Sequence, residues 1–288
     1  GSPLLTQLHV AGVNKLTTVA STVLTGAREG DVPLATSLIE EEADGGIGVD
    51  CNASMRLAAA RKGLHSFCFF HEDWLGRGCV SPSPSVSAIG MLAKERGDLL
   101  AVARALLGKE LGTSHRPGRI LDLSRALYPA DGVPEELTNA MRWYRGEDDY
   151  ETASWLLGRW QGADLAHRVL ASREAAERLR PWGSGLQEEL SEELQGWIQS
   201  SGDWSEIAVQ SAYRKQAEIA LTLYEVFEAY DAVVTPLYPG MTFVDEEDVF
   251  YRLALAPSLA RQPIYTMPVE NGMQLQFIFP NLNSVAIP

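Results

Sequence analysis

Gly48-Val49-Asp50-Cys51-Asn52-Ala53-Ser54-Met55-Arg56 brings three local signals together around one serine. Its left half, entered through Gly46 and Ile47, has the small and branched residues of a short strand running into a turn. Its right half opens Ser54–Lys62, whose alanine-rich composition suits the start of a helix. Strand, turn and helix start therefore meet around Ser54. Asp50 and Arg56 stand on either side of that turn, and the backbone amides of Cys51, Asn52 and Ala53 lie just ahead of the serine.

Outward from this point the pattern alternates between strands and helices. Upstream, residues 4–24 mix apolar and Thr/Ser residues and read as strand and loop. Residues 33–43 read as a helix: Pro33 fits a first turn, Leu34, Leu38 and Ile39 form an apolar face, and Gly45-Gly46 ends it. Downstream, residues 64–70 read as a buried strand. Ser81-Pro82-Ser83-Pro84-Ser85 reads as a loop. Residues 95–107 read as a helix with Leu99, Val102, Leu106 and Leu107 on one side. From 134 to 230 the pattern is almost wholly helical, broken at Pro181-Trp182-Gly183 and at Ser201-Gly202. Its last helix carries Ile219, Leu223, Phe227 and Tyr230 at helical spacing, with Asp203 or Ser205 to cap its start. Residues 231–235 read as a strand closed by Pro236, and 262–269 and 273–279 as two more short strands. Strands at both ends with helices between predict one mixed α/β domain. In this reading 8–108 and 230–288 form the sheet core, and 109–229 is a mainly helical insertion.

Three segments, in the right order, resemble the amidase-signature family. Leu8-His9-Val10-Ala11-Gly12, followed by Thr17-Thr18, resembles the family's D-V-A-G-x-P-T-T stretch. Val49 to Arg56 resembles its G-T-D-T-G-G-S-I-R motif, with Ser85-Val86-Ser87-Ala88-Ile89-Gly90 behind it like S-F-D-T-V-G. Tyr230-Asp231-Ala232-Val233-Val234-Thr235-Pro236 resembles Y-D-x-L-L-T-P, with Arg214 in the helix before it. The resemblance implies an amidase-signature-like mixed β-sheet core surrounded by helices. The spacing between the first and second segments is dozens of residues shorter than in the family, so the fold is expected to be truncated in its N-terminal half.

The resemblance also implies a chemistry. Serine is a weak nucleophile at its own pKa, so acyl transfer needs an adjacent base and a set of oxyanion donors. In the family a lysine acts as that base through a bridging serine. Ser54 aligns with the nucleophile, the amides of Cys51, Asn52 and Ala53 with the oxyanion hole, and Asp50 and Arg56 with residues supporting the turn. The alternative for Asp50 and Arg56 is a buried ion pair or cap that only holds the loop. The departures are specific. Leu5 and Thr6 stand where the lysine would be, and Lys15 lies on the wrong side of its motif. No Gly/Ser-rich loop precedes Asp50, and Asn52-Ala53 replace a glycine pair, whose freedom at positive φ a Cβ restricts. Loss of one member of a catalytic triad costs several powers of ten in rate. The expectation is a degenerate, repurposed site that binds a small carbonyl or amide compound. Two alternatives stand beside it: a non-catalytic module that binds a ligand or partner, and a serine amidohydrolase with an unusual base for Ser54 or Cys51.

His65, Cys68, His71 and Cys79, with Glu72 and Asp73 nearby, have residue types suited to zinc. On a strand, residues three apart point to opposite faces, so no metal site and no cofactor are expected. Of the seven tryptophans, Trp143, Trp155, Trp160, Trp182, Trp197 and Trp204 fall in the helical middle, where core packing competes with a role as pocket walls. Glu246-Glu247-Asp248 reads as a solvated turn. A formal net charge of −14 argues against nucleic-acid and anionic-membrane partners. Three cysteines without regular spacing favour a reducing compartment. No apolar run reaches the roughly 18 residues that span a bilayer, and no basic-then-apolar leader opens the sequence. The resulting expectation is a cytoplasmic protein with a small-molecule ligand, in which faces left uncovered by the shortening form a homodimer.

Overall fold

Apolar side chains along the strands alternate between two helical layers, as a strand's two-residue period requires, and this alternation sets the architecture. The computed structural model describes residues 44–70, 81–107, 111, 118–128, 132–144, 146–179, 192–237, 247–269 and 273–285. Phe67, Phe69, Ile89, Met91, Ile120, Tyr265 and Phe277 enter one core, while Leu121 and Ile278 enter the other. The neighbours Ala232, Val233 and Val234 alternate between the two. Residues 4–24 and 33–43, the first motif segment with Lys15, and His71, Glu72, Asp73, Cys79, Trp182 and Glu246 lie outside the described residues, as does the Trp143 side chain.

In chain order the strands are β1 (Gly45–Asp50), β2 (His65–Phe69), β3 (Ala88–Ala93), β4 (Ile120–Asp122), β5 (Gly146–Glu147), β6 (Ala232–Leu237), β7 (Ile264–Pro268) and β8 (Gln274–Ile278). The helices are α1 (Ser54–Lys62), α2 (Arg96–Leu107), α3 (Ser124–Leu127), α4 (Glu135–Tyr144), α5 (Tyr150–Arg159), α6 (Ala163–Leu179), α7 (Glu192–Ser200), α8 (Glu206–Phe227) and α9 (Glu247–Leu259). The strands form one sheet in the order β1-β3-β2-β7-β8-β6-β4-β5. Pairing is antiparallel from β1 through to β6, and β4 then joins β6 and β5 in parallel. Helices α2 and α4 cover the first core, and α5, α6, α8 and α9 cover the second. This is the mixed, helix-covered sheet that the sequence predicts.

Several local expectations are corrected. Pro236 does not close its strand: it lies inside β6, paired with Leu275 of β8 and beyond Val234, where pairing with β4 stops. A residue without an N–H is tolerated at a position whose second flank makes no ladder bond. Glu247 and Asp248 begin α9 and do not form a turn. The second half of the Ser85–Gly90 motif is the start of β3, the shared partner of β1 and β2. The stretch 109–229 is mostly helical in its described part but also supplies β4 and β5 to the sheet. Of the two proposed caps for α8, Ser205 is the one used, its side chain accepting the Ala208 N–H at 3.2 Å. No helix among the described residues is long and apolar enough to cross a membrane.

Candidate functional site

The site begins where β1 ends. Asp50 is buried, and its carboxylate divides between two donors. Oδ1 accepts the Met55 amide at 2.9 Å, which satisfies one of the unpaired N–H groups of the first turn of α1. Oδ2 accepts Arg56 Nε at 2.8 Å. The rest of the guanidinium is equally engaged. Nη1 donates to the Ala254 carbonyl and to Gln276 Oε1, and Nη2 donates to Ser258 Oγ. Gln276 in turn donates to the Leu253 carbonyl at 2.9 Å. Asp50 and Arg56 therefore form a buried ion pair that ties the turn to β8 and α9. Such a pair adds little net stability over an apolar replacement, but loss of one partner strands a charge and costs about 3–5 kcal/mol. Gly90 keeps the approach possible, since a Cβ there would lie 2.6 Å from Met55 Sδ.

Above this platform the chain bends through Ala53, which has φ 56° and ψ 16° and makes no side-chain cap. Its left-handed conformation costs a non-glycine residue about 1–2 kcal/mol. The Cβ that the sequence predicts would restrict the bend does not abolish it. Ala53 is fully buried, and its carbonyl accepts the first helical N–H, that of Leu57, at 2.8 Å. A left-handed residue running directly into a right-handed helix is the backbone form of an anion-binding nest, and here the Asp50 carboxylate already accepts one amide of the turn, that of Met55. Asn52 and Ser54 are both half-buried on this turn.

Cys51 is 1 % exposed and is held from two directions. Ser87 Oγ, from the loop before β3, donates to Cys51 Sγ at 3.2 Å. His167 Nε2, from α6, lies 2.8 Å from the Cys51 carbonyl. A carbonyl only accepts, so His167 carries its proton on Nε2. Burial lowers the His167 pKa to about 4, with the nearby Arg56 charge acting in the same direction, and the imidazole is neutral at pH 7. Neither His167 nor the clamping role of Ser87 is visible in the sequence. Their partners lie 116 and 36 residues away, and no local spacing marks them. Gln276 and Ser258, at separations of 220 and 202 residues from Arg56, escape sequence reading for the same reason.

The other constellations separate. Cys68 lies beneath the turn with Asp50 and Arg56, and burial, then the Asp50 carboxylate, pushes its thiol well above the ordinary range. His65 turns to the other side of β2, where its Nδ1 meets Tyr265 Oη at 2.8 Å. The two therefore do not converge on one ion. Among the tryptophans, Trp160 is fully buried and Trp197 and Trp204 pack partly buried against the same helical core, while Trp155 is 39 % exposed. The third motif is also built into the fold. Tyr230 Oη donates to Asp149 Oδ2 at 2.9 Å, and Asp231 Oδ2 accepts the Gly118 and Arg119 amides. Arg214 lies exposed on α8, donating to Ser211 Oγ.

No protein-family model and no curated protein matches the chain. Solved structures do. An amidase superposes with a TM-score of 0.67 at 18 % identity, covering 88 % of this chain and 63 % of its own. A component of the glutamyl-tRNA(Gln) amidotransferase of Thermotoga maritima gives 0.63 at 16 % identity, covering 88 % and 62 %. A bacterial aryl acylamidase of the amidase-signature family gives 0.63 at 14 % identity, with the same coverage of 88 % and 62 %. The chain thus has an amidase-signature-like fold and spans less than two thirds of the length of these proteins.

Proposed function

We propose that this chain is an amidase-like protein that takes a small carbonyl or amide compound at the N-terminus of α1, and that its site is degenerate with respect to hydrolysis. The observation that carries the reading is the left-handed Ala53 immediately before a half-buried Ser54 at a helix start. In this assignment the amides around Cys51, Asn52 and Ala53 polarise the ligand's carbonyl oxygen, and Ser54 contacts its carbon or donates a hydrogen bond. Asp50 and Arg56 hold the turn. No metal or cofactor is assigned a role. The fold shared with amidases and an aryl acylamidase supports the choice of ligand class. Leu5 and Thr6, standing where the lysine base would align, favour an altered acyl-transfer or cyclisation-type reaction over lysine-driven hydrolysis. The same substitution favours, as the second reading, a module that binds its ligand without turning it over.

The test combines a fluorophosphonate probe with an alkyl boronic acid. Fluorophosphonate requires an activated serine, whereas a boronate requires only an accessible serine and oxyanion donors. We expect slow, substoichiometric phosphonylation by intact mass, together with boronate binding that Ser54→Ala abolishes. Rapid stoichiometric labelling at Ser54 would overturn the degenerate site and establish a serine hydrolase. Failure of the boronate to bind would overturn the site assignment itself.

A further inference from the structure

Helix α8 buries Val209, Ala212, Ile219, Leu223 and Val226 against the helical core, and its opposite side faces solvent. That outer side is not uniformly polar. Ile207 is 74 % exposed, Leu221 64 % and Tyr224 67 %, values that stand out among large apolar side chains. Ile207, Arg214 and Leu221 recur every seven residues along the helix, and Glu228, its C-cap with αR backbone, continues the stripe one heptad further. Among the described residues neither Arg214 nor Glu228 has an ion-pair partner.

The charges on this stripe are arranged symmetrically about Leu221. Seven residues before it stands the cation Arg214, and seven residues after it the anion Glu228. We infer that the outer face of α8 is a self-complementary interface, and that its occupant is a second copy of this chain packed antiparallel across a two-fold axis at Leu221. In that arrangement residues equidistant from the axis meet. Leu221 packs on Leu221 of the second copy. Arg214 of each copy falls opposite Glu228 of the other, about 10 Å along the helix on either side of the axis. At 100° per residue, Glu225 lies about 40° from Leu221 on the same flank as Arg214, so it adds a second acidic group to each contact. The residue equidistant from the axis on the other side is Ala217, whose small side chain brings no opposing charge. Trp155 extends the apolar area beside the stripe, since Arg159 stacks on its ring and bonds to Glu218 of α8. A parallel arrangement would set Arg214 against Arg214 and Glu228 against Glu228, and is disfavoured. The chain's formal charge of −14 makes random association costly, so a contact with matched charges selects one orientation.

Sedimentation equilibrium tests this without reference to any activity. The wild-type chain is expected to dimerise, and Leu221→Glu to weaken the dimer at least about tenfold. Arg214→Glu and Glu228→Arg should each weaken it, and the double charge reversal should recover part of the loss, the remainder reflecting Glu225, which then faces an anion. All of these positions are exposed, so circular dichroism and thermal unfolding of the monomer should be unchanged across the series. A wild-type chain that stays monomeric to about 100 µM overturns the proposal and leaves the stripe to a different partner. So does a dimer indifferent to Leu221→Glu, or one in which the double reversal is no tighter than the single reversals.

Discussion

Ala53 and His167 carry the most information at the scale of single residues. Ala53 holds a conformation that glycine adopts freely, and the buried Asp50–Arg56 network beneath it supplies the constraint that keeps it there. His167 has the opposite character: its backbone is ordinary helix, and its importance lies in one bond to the Cys51 carbonyl. Its burial makes a definite statement about pH, because desolvation outweighs the upward pull of that bond. The imidazole has a folded-state pKa of about 4 against an ordinary value of 6.5. Below pH 6.5 the unfolded chain takes up a proton that the folded chain refuses, so stability is lost as pH falls from 6.5 towards 4. At 1.36 kcal/mol per unit the loss amounts to about 3 kcal/mol. The Cys51 hydrogen bond and the Asp50 carboxylate oppose the shift and Arg56 reinforces it, so all three belong to the balance. Urea unfolding of wild type and His167→Gln across this range provides the check. Glutamine can still donate to the carbonyl but does not titrate, so its stability should decline less steeply.

At the scale of elements, helix starts decide much of the local order. Helix α5 begins at Asp149, whose Oδ1 accepts the Thr152 amide at 3.1 Å while Oδ2 accepts both Thr152 Oγ1 and Tyr230 Oη. These bonds hold the Asp149 carboxyl below its usual range. The cap therefore also ties α5 to the segment that leads into β6. Asp149→Ala is expected to lower global stability by about 1–2 kcal/mol, and Asp149→Asn by less, because the amide oxygen retains the cap. Chemical denaturation measures both. Equal losses for the two variants would show that the carboxylate charge, and not the cap, carries the effect. Helix α1 is built differently. It has no side-chain cap from the residue before it, and Asp50, five residues back from Met55, satisfies an amide of its first turn.

At the scale of the whole molecule, the helical middle and the sheet depend on each other. Strand β4 pairs with β6 through Ile120, Leu121 and Asp122, and α6 delivers His167 to the turn after β1. We therefore propose that the chain is one domain whose middle section is not a separable insertion. Excision of residues 120–179, with a short linker joining the ends, should abolish cooperative thermal unfolding and near-ultraviolet circular dichroism. A sheet core that folded cooperatively after excision would show the middle to be an independent module.

Elements whose signals are local are legible in the linear chain. The Ser54–Lys62 helix is read from its alanine content, and β2, β7 and β8 follow from short apolar runs between turn residues. The collinear motifs pointed to the fold class, and the middle one bends and braces the chain around Asp50. Short strands such as β4 and β5 were not legible, since three residues or two carry no periodicity of their own. The site divides in the same way. Asp50, Ser54 and Arg56 stand close together in the chain, and their places around one turn can be read there. That Ala53 is left-handed, that Arg56 is satisfied by Ala254, Ser258 and Gln276, and that His167 and Ser87 close on Cys51 emerges only from the folded chain. The physical reason is that buried polar groups must be paired, and the partners that satisfy them come from wherever the fold brings donors and acceptors together, not from neighbouring positions in the chain.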